Sequence, residues 1–149
     1  MLSSKAKYGL KAMVYLARRE GRGSVLIADV AREERIPKKF LDTILLELKL
    51  KGLLASKKGK GGGYTLAKPA AGISAGEIVR ILDGPLAPIA CVSRTAYRPC
   101  DDCADEAACS VRAVMQGVRD AIAAILDHTS LLDMCLSQAR DEPILRYDI

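Results

Sequence analysis

The stretch KKFLDTILLELKLKGLLASKKGKGGGYTL, residues 38–66, changes texture halfway along. From Lys38 to Leu50 the apolar residues Leu41, Ile44, Leu45 and Leu48 recur at helical spacing, one buried stripe of an amphipathic helix. Pro37 suits the first turn of that helix and Gly52 its end. Its opposite face carries Lys39, Asp42, Thr43 and Lys49. From Leu53 the helical spacing stops. Leu53, Leu54 and Ala55 start a strand, and the residues from Lys57 to Gly63 form a basic, glycine-rich turn. Tyr64, Thr65 and Leu66 read as the returning strand, stopped by Lys68-Pro69. Two strands around a glycine loop make a hairpin.

Two shorter helical patterns precede this unit. Ser3 and Ser4 offer a cap to a first helix with Ala6, Leu10, Met13, Val14 and Ala17 on one face, ended by Gly21 and Gly23. Ile27, Val30 and Ala31 line a second, ending near Arg35. Three helices followed by a basic hairpin is the order of a winged helix-turn-helix. Its third helix enters the major groove of DNA and its hairpin, or wing, lies along the neighbouring backbone. A wing needs cations and exposed backbone N–H groups at the phosphates, and glycines permit the approach. A nucleotide-phosphate cradle is the competing reading. It lacks the Gly-x-x-x-x-Gly-Lys-Ser/Thr order, and a strand, not a helix, follows the loop.

The charge distribution agrees with a polyanionic partner. The net charge is +5 over 149 residues, but residues 1–68 hold 16 Lys/Arg against 6 Asp/Glu, and residues 69–149 hold 7 against 12. With 1 His and no nucleophile–base pair at a recognisable spacing, an enzyme is not expected, nor a small-molecule substrate. The first apolar stretch is broken by Lys5, Lys7 and Lys11, so neither a signal peptide nor a membrane partner is expected; the expected location is cytoplasmic.

Beyond a short linker at 70–72, Ser74 and Glu77 form a capping box ahead of a helix with Ile78, Ile81 and Leu82 on its core face. Residues 85–104 have little periodicity and read as an ordered loop, with a last long helix starting near Asp105 and Glu106. In that helix Val111, Met115, Val118, Ile122 and Ile125 make a heptad seam, favouring a two-fold dimer over packing on the chain's own core. Ser130 caps a terminal helix in which Cys135 belongs to the apolar stripe.

Cys91, Cys100, Cys103 and Cys109 fall within 19 residues, a density that in a reducing compartment points to metal or redox chemistry. Structural zinc usually takes two Cys-x2–4-Cys pairs, and only Cys100/Cys103 qualifies. Iron–sulfur centres also use four cysteines at more varied spacing. Spacing therefore favours an iron–sulfur cluster, with zinc and a metal-free thiol switch as alternatives. His128 is read as a helix-end residue, not a ligand.

The segments Leu2 to Tyr8, Lys58 to Tyr64, Ile73 to Leu82 and the cysteine loop running into the long helix together resemble the Rrf2 family of bacterial winged-helix regulators, over residues 1 to about 137. The resemblance implies a homodimer on a pseudo-palindromic double-stranded DNA operator, with a cluster that alters DNA affinity. It places Cys91, Cys103 and Cys109 on the family's three cysteine ligands, and Cys100 becomes the candidate fourth. Where relatives supply a His or an Asp ligand this chain has Arg112 and Tyr8. For DNA it implies Lys38, Lys39, Phe40, Asp42 and Thr43 on the third helix, with Lys57, Lys58, Lys60, Gly61 and Tyr64 in the wing. Lys58 stands where relatives carry an Arg.

The expected fold is mainly α with a small β-hairpin, a winged helix-turn-helix plus a long C-terminal dimerisation helix. The expected division is residues 1–68 for DNA binding, 69–104 for the linker helix and cysteine-rich sensor loop, 105–137 for dimerisation, and 138–149 as a flexible tail. The expected function is a repressor whose operator affinity follows an iron–sulfur cluster, 2Fe–2S rather than 4Fe–4S, sensing redox, iron or nitric oxide status. The alternative is a zinc-stabilised or cluster-free thiol regulator of cysteine metabolism acting through a protein partner.

Overall fold

A computed structural model describes residues 1–138; the tail expected to be flexible lies, from residue 139 on, outside the described residues. Six helices and one hairpin follow in the order α1 (Ser4–Ala17), α2 (Ile27–Glu34), α3 (Lys38–Leu50), β1 (Leu54–Lys57), β2 (Gly63–Leu66), α4 (Ala75–Asp83), α5 (Ser110–Asp127) and α6 (Leu131–Gln138). Single 3-10 turns at Ala70–Gly72 and Ala90–Val92 punctuate the connections.

Three helix starts follow from short polar side chains. Ser3 caps α1, accepting from the Ala6 N–H, and its own N–H donates to Asp83 at 2.9 Å, which ties the chain's start to the end of α4. Ser74 caps α4 by accepting from Glu77 N–H at 3.1 Å, but Glu77 does not complete the expected capping box. Its carboxylate goes to Lys68 at 3.1 Å, because the lysine charge offers more than a neutral N–H. Ser130 and Asp133 cap α6 reciprocally.

The core lies where α1 crosses α3 and α4, filled by Met13, Leu41, Ile44, Leu45, Leu48, Ile73, Ile78 and Leu131. Gly9 sets the approach of α1 to α4: a methyl there would stand 2.1 Å from Leu82 Cδ1. The terminal helix α6 packs back on α1, and Cys135 sits half-buried with its thiol toward the Val14 carbonyl at 3.8 Å.

By contrast, α5 leans outward and none of its residues is buried. It is held to α4 by Arg80, which donates two hydrogen bonds to Asp127 at 2.5 and 2.8 Å. That guanidinium holds the Asp127 carboxyl below the usual carboxylate range. A depressed folded-state value means the contact stabilises the fold at pH above the ordinary carboxyl range and is lost as pH falls through the depressed value. Asp127→Asn should therefore cost about 1 kcal/mol or less at neutral pH, since the pair is one-third exposed. Urea melts of both proteins should converge as the solution is acidified. Among the described residues no helix is long and apolar enough to cross a membrane.

Candidate nucleic-acid interface and cysteine centre

The recognition surface begins at the turn between α2 and α3. Arg35 ends α2 in the left-handed conformation (φ 55°, ψ 47°), and buried Ile36 pins the turn. The next residues launch α3 from Pro37. With Leu41, Ile44, Leu45 and Leu48 committed to the core, the helix must present Lys38, Lys39, Thr43 and Lys49 outward. Lys38 pairs with Asp42 at 3.4 Å, and the Thr43 hydroxyl donates to the Lys39 carbonyl. Phe40 is less free than expected. Its ring meets Tyr8 edge-to-face at 5.6 Å, fixing α3 against α1.

The wing is built on strict register, Leu54 opposite Leu66 and Lys57 opposite Gly63. A third contact joins it to the body: Tyr64 N–H donates to the Val25 carbonyl at 2.8 Å and Val25 N–H returns the bond at 2.9 Å. Tyr64 is thus a root of the wing. It packs half-buried against the core, where burial, then the Asp42 carboxylate, pushes its hydroxyl up. Lys57, Lys58 and Lys60 stand exposed with no ion pair among the described residues. Gly63 allows this close approach: at φ 146° a methyl would lie 2.1 Å from the Val25 carbonyl oxygen. Gly63→Ala should break the Val25–Tyr64 pair and cost about 2 kcal/mol or more, read as a lowered urea midpoint with weakened DNA binding.

The long helix starts later than its charges imply. Asp105 does not open it, because its carboxylate accepts from the Ala107 N–H in a local turn, and Glu106 carbonyl then accepts from Cys109 N–H. The helix begins at Ser110 with Cys109 as its cap, the thiol accepting from Arg112 N–H at 3.4 Å. All four clustered cysteines thus precede α5. Cys91 is buried in the 3-10 turn, Cys100 is exposed, and Cys103 and Cys109 are half-buried; all are free thiols.

These thiols sense one another. A contact with Cys91 pushes the Cys100 thiol up, and burial, then Cys109, pushes up that of Cys103. Among the described residues no three His, Cys, Asp or Glu side chains already stand at metal-holding spacing. The donor set suits a thiolate-bound centre, and the loop would have to draw its thiols together to form one. His128 plays the helix-end part expected of it, with Nδ1 against the Ala124 carbonyl at 2.8 Å.

Side chains that no periodicity revealed fasten this loop to α5. Arg119 donates to the Val92 carbonyl, next to Cys91, at 2.6 Å, and to Asp120 at 2.7 and 2.9 Å. Asp120 also accepts from Arg94 at 3.3 Å. The Tyr97 hydroxyl donates to Glu106, whose other oxygen lies 3.9 Å from Arg112. Along the expected seam, Val111, Val118 and Ile125 are exposed, together with Val114, whereas Met115 and Ile122 are half-buried.

A family profile described as Rrf2, iron-dependent transcriptional regulator, matches residues 2–137. A Rhodobacter capsulatus protein named as an rrf2-like HTH-type transcriptional regulator is 44% identical, covering 90% of this chain and 91% of its own. The structure of CymR, the global cysteine regulator of Bacillus subtilis, superposes with TM-score 0.77 at 30% identity, covering 92% of this chain and 97% of that one. IscR of T. potens superposes with TM-score 0.74 at 26% identity, covering 99% and 93%. With the helix-turn-helix and the basic wing in place, the chain belongs to the Rrf2 family: it is a winged-helix, DNA-binding transcriptional regulator and not an enzyme.

Proposed function

We propose that this regulator works as a cytoplasmic homodimer on double-stranded operator DNA, as a repressor, with a cysteine-ligated iron–sulfur cluster as its sensor. The observation that carries the reading is the placement of Cys109 as the cap of α5, with Cys91, Cys100 and Cys103 in the loop before it. A change at the thiols is thereby a change at the end of the helix that carries the apolar seam. The iron-dependent description of the family and the single Cys-x2-Cys pair both favour iron–sulfur over zinc.

Cys91, Cys100, Cys103 and Cys109 would hold the cluster, which when bound supplies a reversible one-electron and oxidation-sensitive centre, 2Fe–2S in preference to 4Fe–4S. The chain's own residues do the rest. Lys39 and Thr43 of α3 reach base edges, with Lys38 beside them; Asp42 can accept from a cytosine amino group, and the exposed edge of Phe40 can meet a thymine methyl. Lys57, Lys58, Lys60 and Gly61 grip phosphates, and Tyr64 holds the wing at the right distance. Val111, Met115, Val118, Ile122 and Ile125, joined by Val114, form the dimer seam. In this division residues 1–68 bind DNA, 69–104 sense, and 105–137 dimerise, with the helical part of the last segment beginning at Ser110.

A second reading is a cluster-free or zinc-stabilised regulator of cysteine metabolism. It is favoured by the thiols not already standing at metal-holding spacing and by the likeness to CymR. Anaerobic purification separates the two. Brown protein containing iron and sulfide, with operator affinity that changes when the cluster is removed, supports the first. Colourless protein whose affinity ignores iron supports the second.

A further inference from the structure

A cavity of about 380 Å³ opens between the end of α4, the loop that follows it and the second half of α5. Its size falls within the range of small-molecule sites. Leu86 and Ala87 of the loop face Ala123 and Ala124 of α5 as its apolar walls. Its polar wall sets three guanidinium groups, Arg80, Arg94 and Arg119, against two carboxylates, Asp120 and Asp127. Asp127 is taken by Arg80. Asp120 accepts from Nε and Nη2 of Arg119 at 2.9 and 2.7 Å, which leaves Arg94 one longer contact, 3.3 Å, to the same oxygen. The side chain of Arg94 is 75% exposed, and its Nε and Nη1 are uncommitted among the described residues. The cavity thus holds one cation more than its carboxylates neutralise. It also lies away from the apolar seam. At about 100° per residue, positions 119, 120, 123, 124 and 127 centre roughly 150° around α5 from positions 111, 115, 118, 122 and 125. The proposed dimer therefore does not draw on this face.

We propose that this cavity is an effector site for a small organic monocarboxylate with an apolar body. The carboxylate pairs with Arg94, whose planar fork suits two parallel hydrogen bonds, and the body lies between the leucine and alanine walls. A neutral apolar molecule would leave the excess cation unanswered, and an inorganic anion would leave those walls against water. The site needs no iron–sulfur cluster, yet it touches the cysteine loop. Arg119 also donates to the Val92 carbonyl at 2.6 Å, and Arg94 lies three residues after Cys91. A ligand that draws Arg94 away from Asp120 changes how the loop is fastened to α5, and so biases operator affinity.

The test follows amide resonances of nitrogen-15-labelled full-length protein at constant ionic strength. Sodium benzoate is the probe and benzamide its neutral match. Benzoate should shift the amides of Leu86, Ala87, Thr95, Ala123 and Ala124 saturably, with Kd of about 1 mM or tighter. Benzamide should bind at least about tenfold more weakly, and Arg94→Gln should weaken benzoate by a similar factor. Ala124→Leu, which fills the cavity and keeps every charge, should block both probes. At saturating benzoate, operator affinity measured by anisotropy should change by at least about fivefold. Shifts that do not saturate by about 20 mM, equal binding of the two probes, or wild-type benzoate binding in either variant overturns the site. Saturable binding that leaves operator affinity unchanged overturns its effector role. Cluster-free protein serves equally well, so material without iron and sulfide overturns the iron–sulfur reading and not this one.

Discussion

Lys58→Glu combined with Lys60→Glu is expected to weaken operator binding by at least about 100-fold while leaving the fold and the proposed dimer unchanged. Both lysines lie in the turn of the wing, exposed and without ion pairs among the described residues, so the fold loses no contact when they are replaced. The whole effect must come from the nucleic acid. Each cation that neutralises a phosphate releases about one counterion, so the slope of log affinity against log salt should fall in magnitude by about 2. Each new carboxylate would also face a phosphate at close range, which exceeds the effect of simple neutralisation. Fluorescence anisotropy on a labelled operator across a salt series gives both the loss and the slope, and sedimentation checks the dimer. Undiminished binding at about 150 mM salt, where the screening length is ~8 Å, would remove the wing from the interface.

The parts of this interface that were legible in the sequence are those with a local period or a turn composition. The stripe Leu41, Ile44, Leu45 and Leu48 repeats with the spacing of its helix, the glycine-rich turn from Lys57 to Gly63 marks the hairpin by composition, and the structure returns both with boundaries shifted by a residue or two. The start of α5 was not legible in the same way. Asp105 and Glu106 look like helix-opening charges, but the Asp105 side chain bonds its own backbone two residues on, and a local turn wins over the helix. Tyr64 and Phe40 are expected at the DNA, yet the Tyr64 backbone pairs with Val25 while its ring packs on the core, and the Phe40 ring meets Tyr8. The Arg119–Val92 and Arg94–Asp120 contacts span 27 and 26 residues. Such pairings leave no local trace in composition or spacing, yet they are what joins the cysteine loop to the helix behind it.

That junction makes two substitutions informative together. On the proposed iron–sulfur reading, Cys103→Ser with Cys109→Ser should abolish iron and sulfide binding and fix operator affinity at its cluster-free value. The fold should survive, because Cys103 is half-exposed and serine at the Cys109 position is a better helix cap than the thiol it replaces. Arg119→Met should act differently. It keeps all four thiols and the aliphatic packing of a side chain only 12% exposed, but removes the bond to the Val92 carbonyl beside Cys91 and leaves Asp120 held by Arg94 alone. The cluster should then load normally while the affinity ratio between loaded and stripped protein, typically 5- to 150-fold for a coupling of 1–3 kcal/mol, collapses toward 1. Linkage demands the reverse as well: operator DNA should change cluster stability in wild type and not in Arg119→Met. Titrating operator against loaded and stripped forms of each protein measures the ratio. A full wild-type ratio in Arg119→Met would mean that the signal reaches α5 through the contacts the substitution leaves in place, the Cys109 cap and the Arg94–Asp120 and Glu106–Arg112 pairs.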